Sequence, residues 1–204
     1  MINKLKTKKT LRKPPEEWKC GFLVSRIPKN ASPYLESFEL PLEMPIEHWG
    51  QDYTPRGPLS ADVEAAFTGE RILVRLTVRA EFSVPCSRCL RETGLAIIGS
   101  LRYLFTLCPS KDSHESEEPD EPGDGFNSDD GDVDVIAIDV FQLELDMSQY
   151  VWEVLLLNLP ERTLCSESCL GLCSVCGRDR NEGGCECRED YTDPRFAALR
   201  DVNL

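Results

Sequence analysis

Eight of the ten cysteines in this 204-residue chain stand in four close pairs. The pairs are Cys86-Ser-Arg-Cys89, Cys165-Ser-Glu-Ser-Cys169, Cys173-Ser-Val-Cys176 and Cys185-Glu-Cys187. Two thiolates so close in sequence reach one tetrahedral ion together, and two such pairs complete its coordination shell. Six of the eight fall within 23 residues, Cys165 to Cys187. Cys173 to Cys187 alone can close a four-sulfur site on a short loop. Gly177, directly after Cys176, supplies a backbone angle that other residues resist, and amides inside the turn donate to the thiolates. The residues therefore predict one or two structural zinc ions held by Cys86, Cys89, Cys165, Cys169, Cys173, Cys176, Cys185 and Cys187.

Which pairs share an ion stays open. Cys86/Cys89 can join Cys165/Cys169, or Cys173/Cys176, or one pair can remain without metal. Iron–sulfur binding uses the same ligands, but a knuckle followed by glycine favours zinc. A redox-active or metal-handling thiol protein is the alternative, and needs an exposed pair of low pKa such as Cys86/Cys89. Cys20 and Cys108 read as single thiols. Structural zinc contributes about 10–16 kcal/mol in small metal-folded peptides, which is decisive for a segment as thin in apolar residues as Ser166 to Asp190.

Little else in the chain suggests catalysis. Its two histidines are His48 and His114, neither at metal-ligand or triad spacing. No phosphate-binding glycine loop or nucleophile elbow is present. Asp129-Asp130-Gly131-Asp132 does not match a calcium loop. The expectation is a non-enzymatic protein with no small-molecule substrate. The longest apolar runs, Val154 to Leu157 among them, are far too short to span a membrane. The N-terminus lacks the apolar core of a secretory signal, so the expected location is cytoplasmic, where paired cysteines stay reduced.

Charge is unevenly spread over a net −13. Met1 to Lys13 holds six basic residues and no acid, whereas Asp112 to Asp134 holds eleven acids and no Lys or Arg. The acidic stretch buries too little apolar surface to offset its ordering entropy and reads as a disordered insert. The mean field repels nucleic acid, so RNA contacts must use local basic patches.

The cysteines need elements to position them. Ala61, Val63, Ala65 and Phe67 alternate with acids, then Thr68-Gly69-Glu70 reads as a turn. Ile72, Val74, Leu76, Val78, Ala80, Phe82 and Val84 mark one face of a long strand. Arg71, Arg75 and Arg79 lie on its other face, as a solvated surface or as a row of phosphate contacts. Leu95, Ile97, Leu101, Tyr103, Phe105 and Leu107 mark the returning strand, with Cys86/Cys89 at the corner. Phe22 to Ile27 suits a strand, and Pro28, Pro33, Pro41, Pro45, Pro55 and Pro58 argue against long helices around it. Val135 to Leu145 suggests a further strand. Asp146 can cap a helix from Met147 to Asn158 that buries Val151, Val154, Leu155 and Leu157. Asp193-Pro194 can open a short last helix.

The fold expected is α+β and β-rich. It is an antiparallel meander or partly closed barrel, with one or two short helices and a C-terminal zinc-ribbon-like module. Its parts are a basic disordered arm (1–17), an antiparallel β domain (18–110), the acidic insert (111–134), a strand and helix completing the β domain (135–163), and a cysteine-rich module with a short helix (164–204).

Val84-Pro-Cys-Ser-Arg-Cys-Leu90, then Leu155-Leu-Leu-Asn-Leu-Pro160, Leu164-Cys165, Gly171-Leu-Cys-Ser-Val-Cys-Gly177, Asn181, Cys185-Glu-Cys187 and Asp193-Pro-Arg-Phe-Ala-Ala-Leu199 follow in order. This series resembles the YceD family, named for large-ribosomal-subunit RNA accumulation, over roughly Leu59 to Leu199. The resemblance implies a factor in ribosome biogenesis that promotes synthesis, processing or stability of that RNA, by binding ribosomal RNA or a large-subunit ribosomal protein. Some members lack most of the C-terminal cysteines, which implies that metal serves fold and not chemistry. The long acidic insert and Arg180 depart from the family pattern. Candidate RNA contacts are Arg71, Arg75, Arg79, Arg88, Arg91, Arg178 and Arg180.

Overall fold

The computed structural model describes residues 10–30, 32–107, 133–138 and 144–187. The chain divides into two compact units: Met1–Ser83 with Leu95–Glu161, and Val84–Gly94 with Arg162–Leu204. The first is mostly β-sheet with one α-helix. In chain order its elements are β1 (Gly21–Leu23), β2 (Tyr34–Leu40), β3 (Ile46–His48), β4 (Gln51–Pro55), β5 (Leu59–Thr68), β6 (Arg71–Pro85), β7 (Glu92–Leu107), β8 (Val133–Ile138), β9 (Glu144–Asp146) and α1 (Ser148–Leu157). β6 and β7 carry the chain into the second unit and back.

β6 is the hub of the sheet because its period-two pattern runs longest. Ile72, Val74, Leu76, Val78, Ala80 and Phe82 are all buried, and Arg71, Arg75 and Arg79 all face out. Along one edge β6 pairs antiparallel first with β5, Thr68↔Arg71 to Ser60↔Arg79, and then with β4 at Thr54↔Ser83. Arg56, Gly57 and Pro58 separate those partners, and the Arg56 amide donates to Glu81 at 2.9 Å. β2 extends the sheet beyond β5 and β3 beyond β4. β7 pairs with β6 and then with β8. The sheet is open, not closed into a barrel. β1 and β9 form a separate antiparallel ribbon.

Expectations for three elements are corrected. The strand from Phe22 to Ile27 ends at Leu23, and Val24–Arg26 is a turn of 3-10 helix. The stretch expected as one strand from Val135 to Leu145 holds parts of β8 and β9, and β8 runs parallel to β7. Parallel return needs a long crossover, and the 25 residues between β7 and β8 are long enough to supply one. The helix starts at Ser148, with Asp146 acting one position earlier than a standard cap: its Oδ1 accepts the Ser148 amide at 2.9 Å and the Ser148 hydroxyl at 2.6 Å.

α1 buries Val151, Trp152, Val154 and Leu155 but leaves Leu157 67% exposed. At about 100° per residue Leu157 lies on the far side of that stripe, and Trp152 takes the place expected of it. Trp18 meets Trp152 edge-on at 6.0 Å, and Tyr150 packs on Tyr103 and Phe105 at 4.8 and 5.5 Å. Where α1 ends, Asn158 approaches Gly99 of β7, and a Cβ on Gly99 would stand 2.2 Å from Asn158 Nδ2.

The N-terminal arm is described from Thr10 onward. Leu11 bridges to Ile46, and Arg12 pairs with Glu47 at 3.1 Å. The acidic insert from 111 to 132, the Asp129–Asp132 run, Cys108, His114 and the expected last helix lie outside the described residues.

Candidate metal centres

All eight paired cysteines come together in the second unit, as two groups of four. Cys86, Cys89, Cys165 and Cys169 form one, and Cys173, Cys176, Cys185 and Cys187 the other. Within each group the four Sγ atoms lie within 4.8 Å of one another, and each group can hold a metal ion. Of the pairings left open by spacing, the structure selects the one that joins Cys86/Cys89 to Cys165/Cys169. Sequence neighbours alone could not identify it, because the first pair is 76 residues from Cys165.

Two turns of matching design present the CxxC pairs. In the first, the Leu90 amide donates to the Cys86 carbonyl at 2.9 Å and the Cys86 amide to the Arg91 carbonyl at 2.8 Å. In the second, the Gly177 amide donates to Cys173 at 2.9 Å and the Cys173 amide to Arg178 at 2.8 Å. Each turn closes on a residue in the left-handed region, Leu90 at φ 60 and Gly177 at φ 70. The glycine was legible in the sequence as a knuckle residue. Leu90 was not, although it follows Cys89 as Gly177 follows Cys176.

The first group sits in a small core. Cys86, Cys89 and Cys169 are buried, with Leu164 and Leu172 packed around them. Gly171 at φ +73 passes under Arg88, where a Cβ would be 3.1 Å from the Arg88 carbonyl oxygen. The Leu172 amide donates to that same oxygen at 3.1 Å. The second group is more open: Cys173 is buried, Cys185 half-buried, and Cys176 and Cys187 exposed.

Donors surround the sulfurs of the first group. The Arg88 amide reaches Cys86 Sγ at 3.4 Å, and Asn181 Nδ2 reaches Cys169 Sγ at 3.4 Å. Asn181 is itself fixed, with Oδ1 accepting the Leu170 amide at 2.8 Å. Asn181 stands in the motif series, but no role for it followed from sequence, since an amide 12 residues from the nearest cysteine in its own group carries no spacing signal. Burial pushes the Cys86 thiol up, but the amides of Cys89, Arg88 and Cys165 outweigh it and bring it down to about 6. The amides of Cys176 and Val175 do the same for Cys173, to about 6. Cys165, hydrogen-bonded to Cys169 and Cys89, is pushed up to about 12, and Cys187, against Cys176 and partly desolvated, also to about 12. Each group thus sets readily ionised thiols, Cys86 and Cys169 in the first and Cys173 in the second, beside thiols that resist ionising, Cys89 and Cys165 in the first and Cys187 in the second. A bound dication lets all four ionise, because its charge outweighs their mutual repulsion.

The candidate basic contacts separate. Arg75 pairs with Glu64 at 3.5 Å, and Arg79 pairs with Asp62, both across β5–β6. Arg91 pairs with Asp179 at 2.9 Å and Glu182 at 3.0 Å. Arg88 Nη1 donates to the carbonyls of Cys169 at 2.9 Å and Glu167 at 3.3 Å, so it braces the first cysteine group. Arg71, Arg178 and Arg180 are exposed and form no ion pair among the described residues. His48 is half-buried, meets the Trp49 ring at 5.1 Å, and is pushed by desolvation toward its neutral form. Among the described residues no helix is long and apolar enough to cross a membrane, which says nothing of membrane β-barrels.

An open β-sheet unit joined to a unit organised by two four-cysteine groups defines a small cysteine-clustered β protein. The family model for the large ribosomal RNA subunit accumulation protein YceD matches residues 74–203, and the chain belongs to that family. It is 26% identical over 165 residues to the chloroplastic large ribosomal RNA subunit accumulation protein YCED homolog 1 of Arabidopsis thaliana, covering 73% of this chain and 50% of the relative. A homologue of the same name in Zea mays is 24% identical over 146 residues, covering 66% and 50%. An uncharacterized protein of Mycobacterium tuberculosis is 30% identical over 142 residues, covering 69% and 60%. The chain thus spans about half the length of the plastid relatives it matches. No solved structure matches it.

Proposed function

We propose that this chain is a non-enzymatic ribosome-biogenesis factor that promotes accumulation of large-subunit ribosomal RNA, with a structural zinc ion in each cysteine group. The family match over residues 74–203 carries the first part, and it is consistent with a role among ribosomal partners. The proposed partners are ribosomal RNA or a large-subunit ribosomal protein, met in the cytoplasm.

Sulfur geometry supports the second part. Bonds of about 2.3 Å to a tetrahedral zinc put sulfurs roughly 3.8 Å apart. Cys86 and Cys169 are separated by 3.8 Å, and Cys89 and Cys165 by 3.6 Å. A disulfide would need about 2.05 Å. Four sulfurs leave no open position of the kind a catalytic zinc keeps, so the metal serves the fold. The buried first group also offers poor access for thiol exchange, against the redox alternative.

RNA contact through Arg71, Arg75 and Arg79 remains compatible with the ion pairs at Arg75 and Arg79. Exposed pairs are worth about 0–1 kcal/mol, little beside a phosphate contact.

The test is depletion of the protein in its own cells, followed by quantification of large- against small-subunit ribosomal RNA. The expected result is a selective fall in the large-subunit RNA, restored by the intact chain and not by a Cys86→Ser/Cys169→Ser variant. An unchanged ratio contradicts the proposal.

A further inference from the structure

The first unit carries an open apolar groove of about 620 Å³ between the His48-Trp49 turn and one side of α1. Trp49, Tyr150, Trp152, Leu156 and Leu157 line it, with His48 and Glu153 among its polar members. Two of its large side chains are spread into solvent, Trp49 at 68% exposure and Leu157 at 67%. The Trp49 backbone is held at φ 52, a conformation disfavoured for a bulky residue, and is followed by Gly50 at φ 71. A fold that holds an indole outward in a strained turn, next to an exposed leucine, is presenting an anchor site.

Charge indicates what the groove accepts. Among the described residues its one charged lining residue is Glu153, and no Lys or Arg lines it. Glu153 accepts the Tyr103 hydroxyl at 3.2 Å, which fixes the carboxylate. The last turn of α1 carries no basic residue, so the negative end of the helix dipole lacks a cation of its own there. Glu47, beside His48, is already engaged by Arg12 and Thr10. An RNA strand stacking on Trp49 would bring phosphates toward a carboxylate and a helix C-terminus, with no cation among the described lining residues to receive them.

We propose that this groove docks a basic, amphipathic segment of a protein partner. Apolar side chains at helical spacing would pack on Trp49 and Leu157, and a Lys or Arg would meet Glu153 and the end of α1. This deepens the partner proposed above by giving its chemistry, and it does not depend on the metal.

The probe is a short synthetic peptide with leucines at i, i+3 and i+4 spacing and lysines elsewhere. It is titrated into the zinc-loaded full chain by calorimetry, with tryptophan emission as a second readout. Trp152 also lines the groove, so the part of the emission change that Trp49→Ala removes is the part that reports Trp49. Trp49→Ala and Leu157→Ser are each expected to weaken binding about tenfold, the scale of a lost anchor. Glu153→Gln is expected to weaken it several-fold and to reduce its salt sensitivity. Equal binding by a peptide with glutamates in place of lysines overturns the proposal, as does binding that both surface variants leave unchanged. Trp49-dependent binding of a single-stranded RNA oligonucleotide, with none of the peptide, also overturns it and assigns the groove to base stacking. A chain that restores large-subunit RNA in depleted cells yet binds no peptide overturns the groove alone. One that binds peptide but restores nothing overturns the proposed function alone.

Discussion

Leu90 and Gly177 occupy the same position in two turns of the same design. Each amide donates at 2.9 Å to the carbonyl of the first cysteine of its pair, and each residue has positive φ. The side chains at that position differ in consequence. The left-handed conformation costs an L-residue about 1–2 kcal/mol, and Leu90 is 65% exposed, so little packing offsets it.

Substitution should therefore have opposite outcomes at the two positions. Leu90→Gly should be close to neutral, since relief of strain offsets an entropic cost of roughly 0.5–1 kcal/mol. Gly177→Leu should destabilise by about 1–2 kcal/mol. Chemical denaturation of the zinc-loaded variants measures both. A large loss from Leu90→Gly would show that its side chain, and not its backbone, matters.

The two cysteine groups, once loaded with zinc, should release it in order. Three sulfurs of the first group are buried, whereas Cys176 and Cys187 of the second are exposed. A chromogenic chelator should take zinc in two phases of equal size, and Cys176→Ser should remove the fast one. A single phase would mean that the groups are equally accessible or act as one.

Gly99 and Asn158 should be energetically coupled. Asn158 Nδ2 donates to the Val154 carbonyl at 2.8 Å and occupies the space where a Gly99 side chain would go. Gly99→Ala should displace that amide and cost about 1–3 kcal/mol, in the range of overpacking. Gly99→Ala with Asn158→Ala should cost less than the sum of the single changes. Strict additivity in a double-mutant cycle would break the link.

Cys20 should be inert in the folded chain. Burial first, then the charges of Asp146 and Glu36, push its thiol up to about 12. A thiol raised in the folded state contributes stability that is complete below the unfolded value, about 8.5, and is lost as pH rises toward 12. Alkylation at pH 8 followed by peptide mapping should leave Cys20 unmodified until the chain is denatured, and Cys20→Ala should flatten the decline in stability above pH 9. Rapid native labelling of Cys20 would contradict this.

What the sequence made legible follows from how local each signal is. The buried faces of β5, β6 and β7 were readable because period-two alternation is written into adjacent residues. The eight metal-ligating candidates were readable for the same reason, as close pairs. Their grouping was not, because it depends on the β6–β7 corner bringing Cys86 and Cys89 to a segment far along the chain. The parallel placement of β8 was hidden because a strand pattern carries no direction. Leu157 was misplaced because a run of three leucines at 155–157 masks which of them falls on the buried stripe. Arg88 read as a candidate RNA contact, and its guanidinium binds backbone carbonyls around the first cysteine group, a role that only folded geometry creates.

Two four-sulfur zinc sites are proposed to organise the cysteine-bearing unit. Zinc-edge X-ray absorption on metal-quantified, gently purified protein tests this most directly. Two zinc ions per chain are expected, each with four sulfur neighbours at about 2.3 Å. Fewer than two ions, or a shell containing nitrogen or oxygen ligands, would contradict it.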